Sequence, residues 1–392
     1  MKRKFSILLV STVLIGLVLS LVGTALVSQA APEPMQRKIV VFETGVNEPA
    51  REALIKKFGG VEIKNLPLIT GKAVLLPPKA VGTLAKQAGV LRIDDDVEVF
   101  ALAKPSPTQP AEVLPWGIDR IDADLVWGIT TGDPVKIAIV DTGIDVKHPD
   151  LVDNLKGGVS TVWYTTSYND DNGHGTHVAG IAAAIDNEIG VIGVGPKIDL
   201  YAVKVLDRRG SGYLSDVIEG LDWAIANRMQ VVNMSLGTDS DVQSFREAVA
   251  RVNATGITQV AAAGNTGGSV IYPAAYPKVI AVSATDNTDT IASWSSRGPE
   301  IDLAAPGVSI YSTYKGSTYK TLSGTSMAAP HVAGTVALVL TQTAKCDADL
   351  NGTCSPAEVQ QRLEATAEDL GETGKDNLYG SGLVDAEKAV TQ

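Results

Sequence analysis

Three short segments of the 392-residue chain contain the residue types that can turn a hydroxyl group into a nucleophile. A serine attacks only weakly until a nearby base accepts its proton and a carboxylate orients that base. Each segment alone is also typical of a turn or a helix start, so the prediction of nucleophilic catalysis depends on all three together. The segments are Val140-Asp141-Thr142-Gly143, Asn172-Gly173-His174-Gly175-Thr176-His177-Val178-Ala179-Gly180 and Ser323-Gly324-Thr325-Ser326-Met327-Ala328-Ala329-Pro330.

The base must be one of four histidines. His331 follows Ser326 by five residues on the same predicted helix, which turns its ring about 140° away from the serine. His148 lies in an irregular loop and is interpreted as structural, and His177 is expected to pack or hydrogen-bond behind the base. His174, between two glycines at the predicted helix entrance, is therefore the best candidate. The pair of His174 and His177 lacks the glutamate and the spacing of a zinc-protease helix, so no catalytic zinc is expected.

Apolar strands alternate with helical stretches through the larger, C-terminal part of the chain. This pattern predicts an α/β fold with a mostly parallel sheet and helices on both faces. Chemistry in such folds sits at the carboxyl ends of the strands, which places Asp141 and Asn265 at one edge of the sheet. Strands are predicted over residues 136–140, 200–205, 231–236, 258–263 and 279–282, and helices near 174–184, 214–227 and 242–252.

The first 30 residues have the pattern of a secretory signal peptide. Three basic residues precede the uncharged stretch 5–27, and small residues follow at Ser28 and Ala30. This order predicts export with cleavage after Ala30. The apolar stretch is also long enough to span a bilayer, so an uncleaved anchor is the alternative.

Residues 31–103 are predicted to form a small α+β domain with the element order βαββαβ. Its strands are predicted over 38–42, 61–64, 73–76 and 97–102, and its helices over 48–58 and 79–87. Residues 104–111 follow as a linker, because three prolines within 104–110 favour an extended and exposed connection. The linker predicts a domain boundary and a cleavage zone before a catalytic domain over 112–392.

Composition argues against a nucleic-acid-binding protein, a disordered chain and a disulfide scaffold. Lys and Arg number 33 and Asp and Glu number 44, a net charge of −11, so the field of the protein disfavours nucleic acid as a partner. A hydrophobic content of 45% with 20% charged residues indicates a folded chain. The two cysteines, Cys346 and Cys354, lie close in sequence and can form one local disulfide rather than a disulfide scaffold.

The order Asp141, His174, Ser326, with the motifs around these residues, resembles that of the subtilisin-like serine proteases, or subtilases. The resemblance covers about residues 115–390, and residues 36–102 resemble the family's propeptide, an intramolecular chaperone and inhibitor. It implies a secreted, self-processing serine endopeptidase of broad specificity that is made as a zymogen, acts on protein and peptide substrates and works as a monomer. There are two alternatives. One is a non-catalytic binding protein, and the intact triad argues against it. The other is an esterase, but the sequence around the serine lacks the Gly-x-Ser-x-Gly motif.

The resemblance also assigns roles in the site. Ser326 attacks the carbonyl group at the start of a helix over 325–341, and Asn265 donates a hydrogen bond to the oxyanion. Substrate is expected to add as a strand between two segments. The second segment, together with Ala262, Ala263 and Gly264, forms the walls of the S1 slot. This slot holds the P1 side chain, the one that precedes the scissile bond. No acidic residue lines this slot, which predicts apolar or aromatic P1 residues. The two strand-binding segments are Gly210-Ser211-Gly212 and Ser235-Leu236-Gly237.

Calcium is the cofactor that the resemblance implies. Calcium prefers mixed carboxylate and carbonyl oxygen ligands. A tight site is expected from the side chains of Asp150 and Asn187 and the carbonyls of Ile185, Ile189 and Val191, with Glu112 as a further ligand. A weaker site is expected from Asp302 with the carbonyls of Ala274 and Tyr276.

A second calcium prediction comes from residue spacing alone. The segment 347–358 fits an EF-hand-type loop, with a glycine, Gly352, at its sixth position. The alternative is a capping box in which Ser355 and Glu358 start a helix, and the two interpretations are compatible. A disulfide between Cys346 and Cys354 would hold the loop together. The remaining loop ligands are expected from Asp347, Asp349, Asn351, the Thr353 carbonyl, Ser355 and Glu358.

Overall fold

A computed structural model describes residues 34–101, 104–105 and 113–392 of the chain. The predicted signal peptide, most of the predicted linker, and Glu112 lie outside the described residues. Among the described residues, none of the helices combines the length and the apolar character that crossing a membrane requires.

Seventeen strands and nine helices run through the described residues. The strands are β1 (Gln36–Phe42), β2 (Val61–Leu66), β3 (Gly71–Leu76), β4 (Val90–Asp95), β5 (Glu98–Ala101), β6 (Lys104–Pro105), β7 (Lys136–Asp141), β8 (Leu155–Ser160), β9 (Asp199–Lys204), β10 (Ser211–Tyr213), β11 (Val231–Met234), β12 (Leu236–Gly237), β13 (Thr258–Ala262), β14 (Ile280–Thr285), β15 (Leu303–Pro306), β16 (Ile310–Tyr314) and β17 (Thr318–Ser323). The helices are α1 (Glu48–Lys57), α2 (Pro78–Leu84), α3 (Trp116–Arg120), α4 (His174–Ala183), α5 (Leu214–Ala226), α6 (Gln243–Ala254), α7 (Thr325–Leu340), α8 (Pro356–Thr366) and α9 (Ala386–Thr391).

A seven-stranded, wholly parallel sheet forms the centre of the larger part of the chain, in the order β15-β14-β13-β11-β7-β9-β8. Side chains of β7 alternate between its two faces, as the period of a strand requires. Ile137 and Ile139 pack in the buried cluster that contains α4 and α7, whereas Ala138 and Val140 pack in the cluster that contains α5 and α6. The predicted α/β fold with helices on both faces is therefore confirmed.

Residues 36–95, called here the N-terminal module, form a separate antiparallel sheet in the order β2-β3-β1-β4. One face of this sheet packs in the module's own small core, which contains Phe42 and Leu76. The other face, with Ile39 and Val41, belongs to the apolar cluster that contains α5 and α6. One of the two apolar faces of the module's sheet is therefore buried against the larger part of the chain.

The strand predicted at 97–102 is present as β5, but it does not belong to the sheet of the module. The fourth strand of that sheet is β4, which the prediction missed, and β5 pairs with β10 and β12 in another sheet. The sequence Val90-Leu-Arg-Ile-Asp-Asp95 escaped detection because β4 is an edge strand, and edge strands tolerate charged residues that central strands exclude.

Carboxylates at the end of β4 and directly after it meet the beginnings of α5 and α6. Asp96 accepts hydrogen bonds from the backbone N–H and the hydroxyl of Ser215, each 2.9 Å long. Asp94 accepts a hydrogen bond from the Ser244 hydroxyl at the start of α6. Negative charge at a helix N-terminus is favoured by the helix dipole, so both contacts stabilise the docked module. They also fix where the next residues, those of β5, must run.

Candidate active site

Asp141 and His174 are in direct contact in a buried site at the carboxyl edge of the sheet. Asp141 ends β7, His174 begins α4, and His174 Nδ1 lies 2.7 Å from Asp141 Oδ1. The same carboxylate oxygen accepts a 2.7 Å hydrogen bond from the backbone N–H of Thr142. The other ring nitrogen, His174 Nε2, is buried and has no hydrogen-bond partner among the described residues. A carboxylate at Nδ1 favours the tautomer in which Nε2 is free to accept a proton.

Ser326 is the second residue of α7, which packs against α4. Its hydroxyl is fully buried and donates a 3.1 Å hydrogen bond to the carbonyl oxygen of Ser235. The described residues show this bond rather than one to His174, and catalytic hydrogen bonds are often formed only with bound substrate. The position in the first turn of α7, where backbone N–H groups lack the usual partners within the helix, puts the N–H of Ser326 itself beside the hydroxyl.

Asn265 is oriented by the residue before the serine. Its Oδ1 accepts hydrogen bonds from the backbone N–H of Thr325, at 2.9 Å, and from the Thr325 hydroxyl, at 3.0 Å. A backbone N–H can only donate, so the amide oxygen must face Thr325 and the Nδ2 hydrogens point elsewhere. Gly264, directly before Asn265, has a φ of +116°, which a residue with a side chain rarely adopts. The chain turn that presents this amide therefore depends on glycine.

The two segments expected to bind substrate have an extended strand of the chain between them. Strand β5 pairs antiparallel with β10 and β12, so that Phe100 lies opposite both Ser211 and Gly237. Gly212 lies opposite Val99, and Leu236 lies opposite Ala101. Gly212 is packed closely against the chain before β10, since a Cβ atom there would lie 2.3 Å from the carbonyl oxygen of Val205. Gly210 turns the chain into β10 with a φ of +78°.

Asp170 is a functional residue that the motif analysis missed. Its buried carboxylate accepts a 2.9 Å hydrogen bond from the Thr142 hydroxyl and a 2.8 Å bond from the backbone N–H of Gly173, and it also accepts bonds from Thr176. The Thr142 hydroxyl in turn accepts the N–H of Gly175. Burial raises the pKa of Asp170, and these donors oppose that rise. A signal existed, since an acidic residue just before a helix start is a typical anchor for its free N–H groups.

Lys204 holds the same threonine from the other side. Its ammonium group is completely buried and donates hydrogen bonds of 2.7 Å to the Thr142 carbonyl and 2.7 Å to Asp171. Burial alone would raise the pKa of Asp171, but the bond from Lys204 lowers it below the ordinary value. Thr142 is thus fixed through its side chain and its carbonyl, and its N–H is left to orient Asp141.

The other three histidines have structural positions. Nε2 of His177 lies 2.8 Å and 3.1 Å from two backbone carbonyl oxygens, and burial lowers its pKa to about 3. His331 is bound to a carbonyl of its own helix at 2.8 Å, and burial lowers its pKa to about 4. His148 also bonds a carbonyl, at 2.9 Å, and burial lowers its pKa. All three rings are neutral near pH 7.

Asp150 and the loop 185–191 offer oxygen atoms that fit a calcium ion. Asp150 is fully buried, and its Oδ2 accepts a 3.0 Å hydrogen bond from the N–H of Val191. Its Oδ1 is buried and has no hydrogen-bond partner among the described residues. A buried charge without a partner is costly, so this oxygen suits a cation ligand. Asn187 and the backbone of Ile185 and Ile189 belong to the same loop.

The segment 347–358 brings three carboxylates together. Atoms of Asp347, Asp349 and Glu358 lie within 4.8 Å of one another, an arrangement that can hold a metal ion. Glu358 also makes the predicted capping box with Ser355, and the hydrogen bonds from Ser355 lower the pKa of its carboxyl group. The expected loop positions Asn351 and Thr353 are present in the turn, and a disulfide joins Cys346 and Cys354.

Asp302, expected in the weaker calcium site, has both carboxylate oxygens engaged. Oδ2 accepts a 3.0 Å hydrogen bond from the N–H of Ala281, and Oδ1 lies 2.7 Å from the ammonium group of Lys375. A cation already pairs with this carboxylate, which makes Asp302 less suited to bind calcium than Asp150.

The fold and the site together define an α/β serine endopeptidase. The sequence model of the Subtilase family matches residues 132–382, and the chain belongs to that family. It is 49% identical to Subtilisin Savinase of Lederbergia lenta over 281 aligned positions, which cover 71% of this chain and 99% of that relative. It is 41% identical to an alkaline protease of Alkalihalobacillus alcalophilus, over 99% of this chain and 100% of that relative. Subtilisin E of Bacillus subtilis strain 168 is also 41% identical, over 92% and 93%.

The contacts of Thr142 lead to a prediction about the catalytic rate. Thr142→Val keeps the shape of the side chain but removes the hydroxyl that joins Asp170 to Gly175. We expect kcat to fall about tenfold to a hundredfold with little change in KM, because small displacements of catalytic groups have effects of this size. Steady-state kinetics on a peptide anilide, with active sites titrated by a serine-reactive phosphonate, measure the change.

Thr335→Val is the matched control, since Thr335 is equally buried and its hydroxyl bonds only a carbonyl within α7. An equal loss of kcat in both variants would show that Thr142 has no special role.

Proposed function

We propose that the protein is a secreted, self-processing endopeptidase in which Asp141, His174 and Ser326 act as a catalytic triad. The observation that carries the proposal is the 2.7 Å contact between Asp141 and His174, which leaves Nε2 of the imidazole free at the N-terminus of a helix packed against α7. His174 Nε2 removes the proton of the Ser326 hydroxyl as Oγ attacks the peptide carbonyl. The same nitrogen then returns the proton to the leaving amine, and water releases the acyl group by the reverse path.

The negative charge that develops on the carbonyl oxygen is stabilised by two donors. One is the backbone N–H of Ser326 in the first turn of α7, and the other is Nδ2 of Asn265. The fixed orientation of the Asn265 amide supports this role, since its oxygen is held by Thr325 and cannot rotate toward the substrate. A donor that is already oriented does not have to reorganise during the reaction.

Substrate binds as a strand between β10 and β12, and apolar side chains are accepted at P1. The position of β5 between these strands supports this mode, because an extended peptide there satisfies hydrogen bonds on both sides. Ser235 and Gly237 on one side and Ala263 and Gly264 on the other line the P1 position. On the β10 side of this cleft, Val99 lies opposite Gly212 and is completely buried, so the cleft already covers one apolar side chain of an extended strand.

The chain is organised as a zymogen. Residues 1–30 are the export signal, 31–103 the propeptide, 104–111 the linker and 112–392 the catalytic domain. Two observations support the inhibitory role: β5 fills the substrate cleft, and β6 continues on its far side, where it pairs with β17 just before Ser326. Cleavage within 100–111 opens the cleft, and the mature enzyme acts as a monomer outside the cell.

Ser326→Ala should accumulate as a precursor near the mass of residues 31–392, because the cut within 100–111 requires the enzyme's own serine. The measurement is mass spectrometry of the product from a host without extracellular proteases. Ser283→Ala serves as control, since this buried hydroxyl bonds a distant carbonyl in the fold and should permit normal processing. Normal maturation of Ser326→Ala would exclude self-cleavage.

Asn265→Ala should process slowly and lose about 3 kcal/mol of transition-state stabilisation in kcat with little change in KM, a magnitude known from subtilisin itself for one oxyanion donor. Kinetics on a peptide anilide, with Asn227→Ala as a surface control, measure this loss. If kcat were unchanged, the amide of Asn265 would not contact the oxyanion.

Calcium stabilises the folded enzyme at two places in this proposal. The tight site uses Asp150, Asn187 and the carbonyls of Ile185, Ile189 and Val191, and the unpartnered oxygen of Asp150 supports it. The second is the EF-hand-type loop, supported by its three converging carboxylates. A bound ion supplies charge compensation for these carboxylates and takes no part in peptide hydrolysis.

The loop is tested by the double variant Asp347→Ala with Glu358→Ala in the inactive Ser326→Ala background. We expect its melting temperature to fall in millimolar calcium and to change little in chelator, because a ligand that binds only the folded state stabilises it by occupancy. Asp385→Ala is the matched control, since Asp385 caps α9 and should act equally in both conditions. Equal destabilisation of the double variant in both conditions would leave the capping box as the only role of Glu358.

A further inference from the structure

A β-hairpin connects the helix of the proposed base to the proposed nucleophile. Its first strand, β16, packs on α4, the helix that begins at His174. Its second strand, β17, pairs antiparallel with β16 and ends at Ser323, three residues before Ser326. The position of the base relative to the nucleophile therefore depends on how β16 holds α4.

Two hydroxyl groups of β16 hold the first turn of α4 by its carbonyl groups. Thr313 Oγ1 donates a 2.7 Å hydrogen bond to the carbonyl oxygen of Thr176, and Ser312 Oγ donates one of 2.9 Å to that of His177. Both side chains are completely buried. These bonds keep the helix against the strand, but they act on residues that follow His174 in the chain.

Tyr314, the last residue of β16, contacts the two residues directly before His174. Its hydroxyl donates a 3.2 Å hydrogen bond to the carbonyl oxygen of Asn172. Its ring lies against Gly173, since a Cβ atom placed on this glycine would collide with the carbon atoms of the ring. The side chain of Asn172 in turn accepts a 3.1 Å hydrogen bond from the backbone N–H of His174. One aromatic side chain thus holds the whole turn that leads into the helix.

We propose that Tyr314 is a positioning residue for His174. Its hydroxyl and its ring fix the turn before α4, and this turn sets where the imidazole stands between the carboxylate and the serine. The inference rests on the proposed endopeptidase function, in which Nε2 of this imidazole takes the serine proton. Tyr314 acts through Asn172 and Gly173 rather than on the reacting atoms. Small displacements of a catalytic group lower the rate steeply, so a loosened turn should slow the reaction.

The kinetic test compares Tyr314→Phe, which removes only the hydroxyl, with Tyr314→Leu, which also removes the ring. We expect kcat on a peptide anilide to fall about threefold to tenfold in the first variant and about tenfold to a hundredfold in the second, as misplacement of the base grows. KM should change little, because the strands that bind substrate are left intact. Active sites are titrated with a serine-reactive phosphonate, so that the fraction of matured enzyme does not enter kcat.

A second measurement separates positioning from a contribution to stability alone. In proton NMR, the hydrogen bond from His174 Nδ1 to Asp141 moves the resonance of this proton to low field. We expect the resonance to move upfield in both Tyr314 variants, because a displaced imidazole makes a weaker bond. The spectra are recorded in the uncleaved Ser326→Ala background, so this readout does not depend on self-processing or on catalysis.

Tyr311→Phe is the matched control. Tyr311 lies on the same strand, and its buried hydroxyl has no hydrogen-bond partner among the described residues. This variant should keep the kcat and the resonance of the wild-type protein. The inference would be overturned if both Tyr314 variants kept them too, even with lower melting temperatures, or if Tyr311→Phe changed them equally.

Failure of the proposed function has a different signature. The wild-type enzyme would then hydrolyse no peptide anilide, and a serine-reactive phosphonate would not label Ser326. The low-field resonance of His174 and its response to the Tyr314 variants would still report whether the tyrosine positions the ring.

Discussion

The contact between Asp141 and His174 depends on a strand that ends and a helix that begins at the same edge of the sheet, and on one threonine that holds these two elements together. Asp141 comes from the end of β7 and His174 from the start of α4, so neither element alone fixes their distance. Thr142 bridges the two, because Asp170 and Lys204 hold its hydroxyl and carbonyl while its N–H holds Asp141. Asp170 and Lys204 are buried charges that are each satisfied by several hydrogen bonds, as burial requires, and together they orient the carboxylate of Asp141.

Much of the fold and the residues of the proposed triad could be predicted from sequence, because both leave local signals. The apolar strands gave the parallel sheet, and the motifs around Asp141, His174 and Ser326 gave a coherent chemical set before any geometry was known. Lys204 was missed because its partner Thr142 lies 62 residues away along the chain, and no local pattern predicts which buried carbonyl a lysine will meet. Asp170 had a local signal, its place before a helix start, but its bond to Thr142, 28 residues away, leaves no pattern in the sequence.

The errors in the predicted elements concern β4 and β5, the two strands at the C-terminal boundary of the N-terminal module. Strand β4 carries arginine and two aspartates because it forms the outer edge of its sheet, so its alternation was not recognised as a strand. Strand β5 was recognised but assigned to the wrong sheet, since an apolar pattern shows that a segment is buried and does not show against what. Its partners, β10 and β12, are short and rich in glycine, so the sequence predicts them only weakly as strands. In this sheet each of the two pairs with β5, which lies between them.

In the proposed zymogen, the two-faced sheet of the N-terminal module makes removal of the module irreversible. While it is attached, Ile39, Val41 and Leu66 are covered by α5 and α6, and the module's own core supplies only the opposite face. A module that has been cut free and has drifted away exposes this apolar face to water, and a domain of about 60 residues has little stability to spare. It then unfolds into an extended chain, the form that a strand-binding cleft accepts. A propeptide built in this way would be consumed by the enzyme that it held, so opening of the proposed cleft would proceed in one direction only.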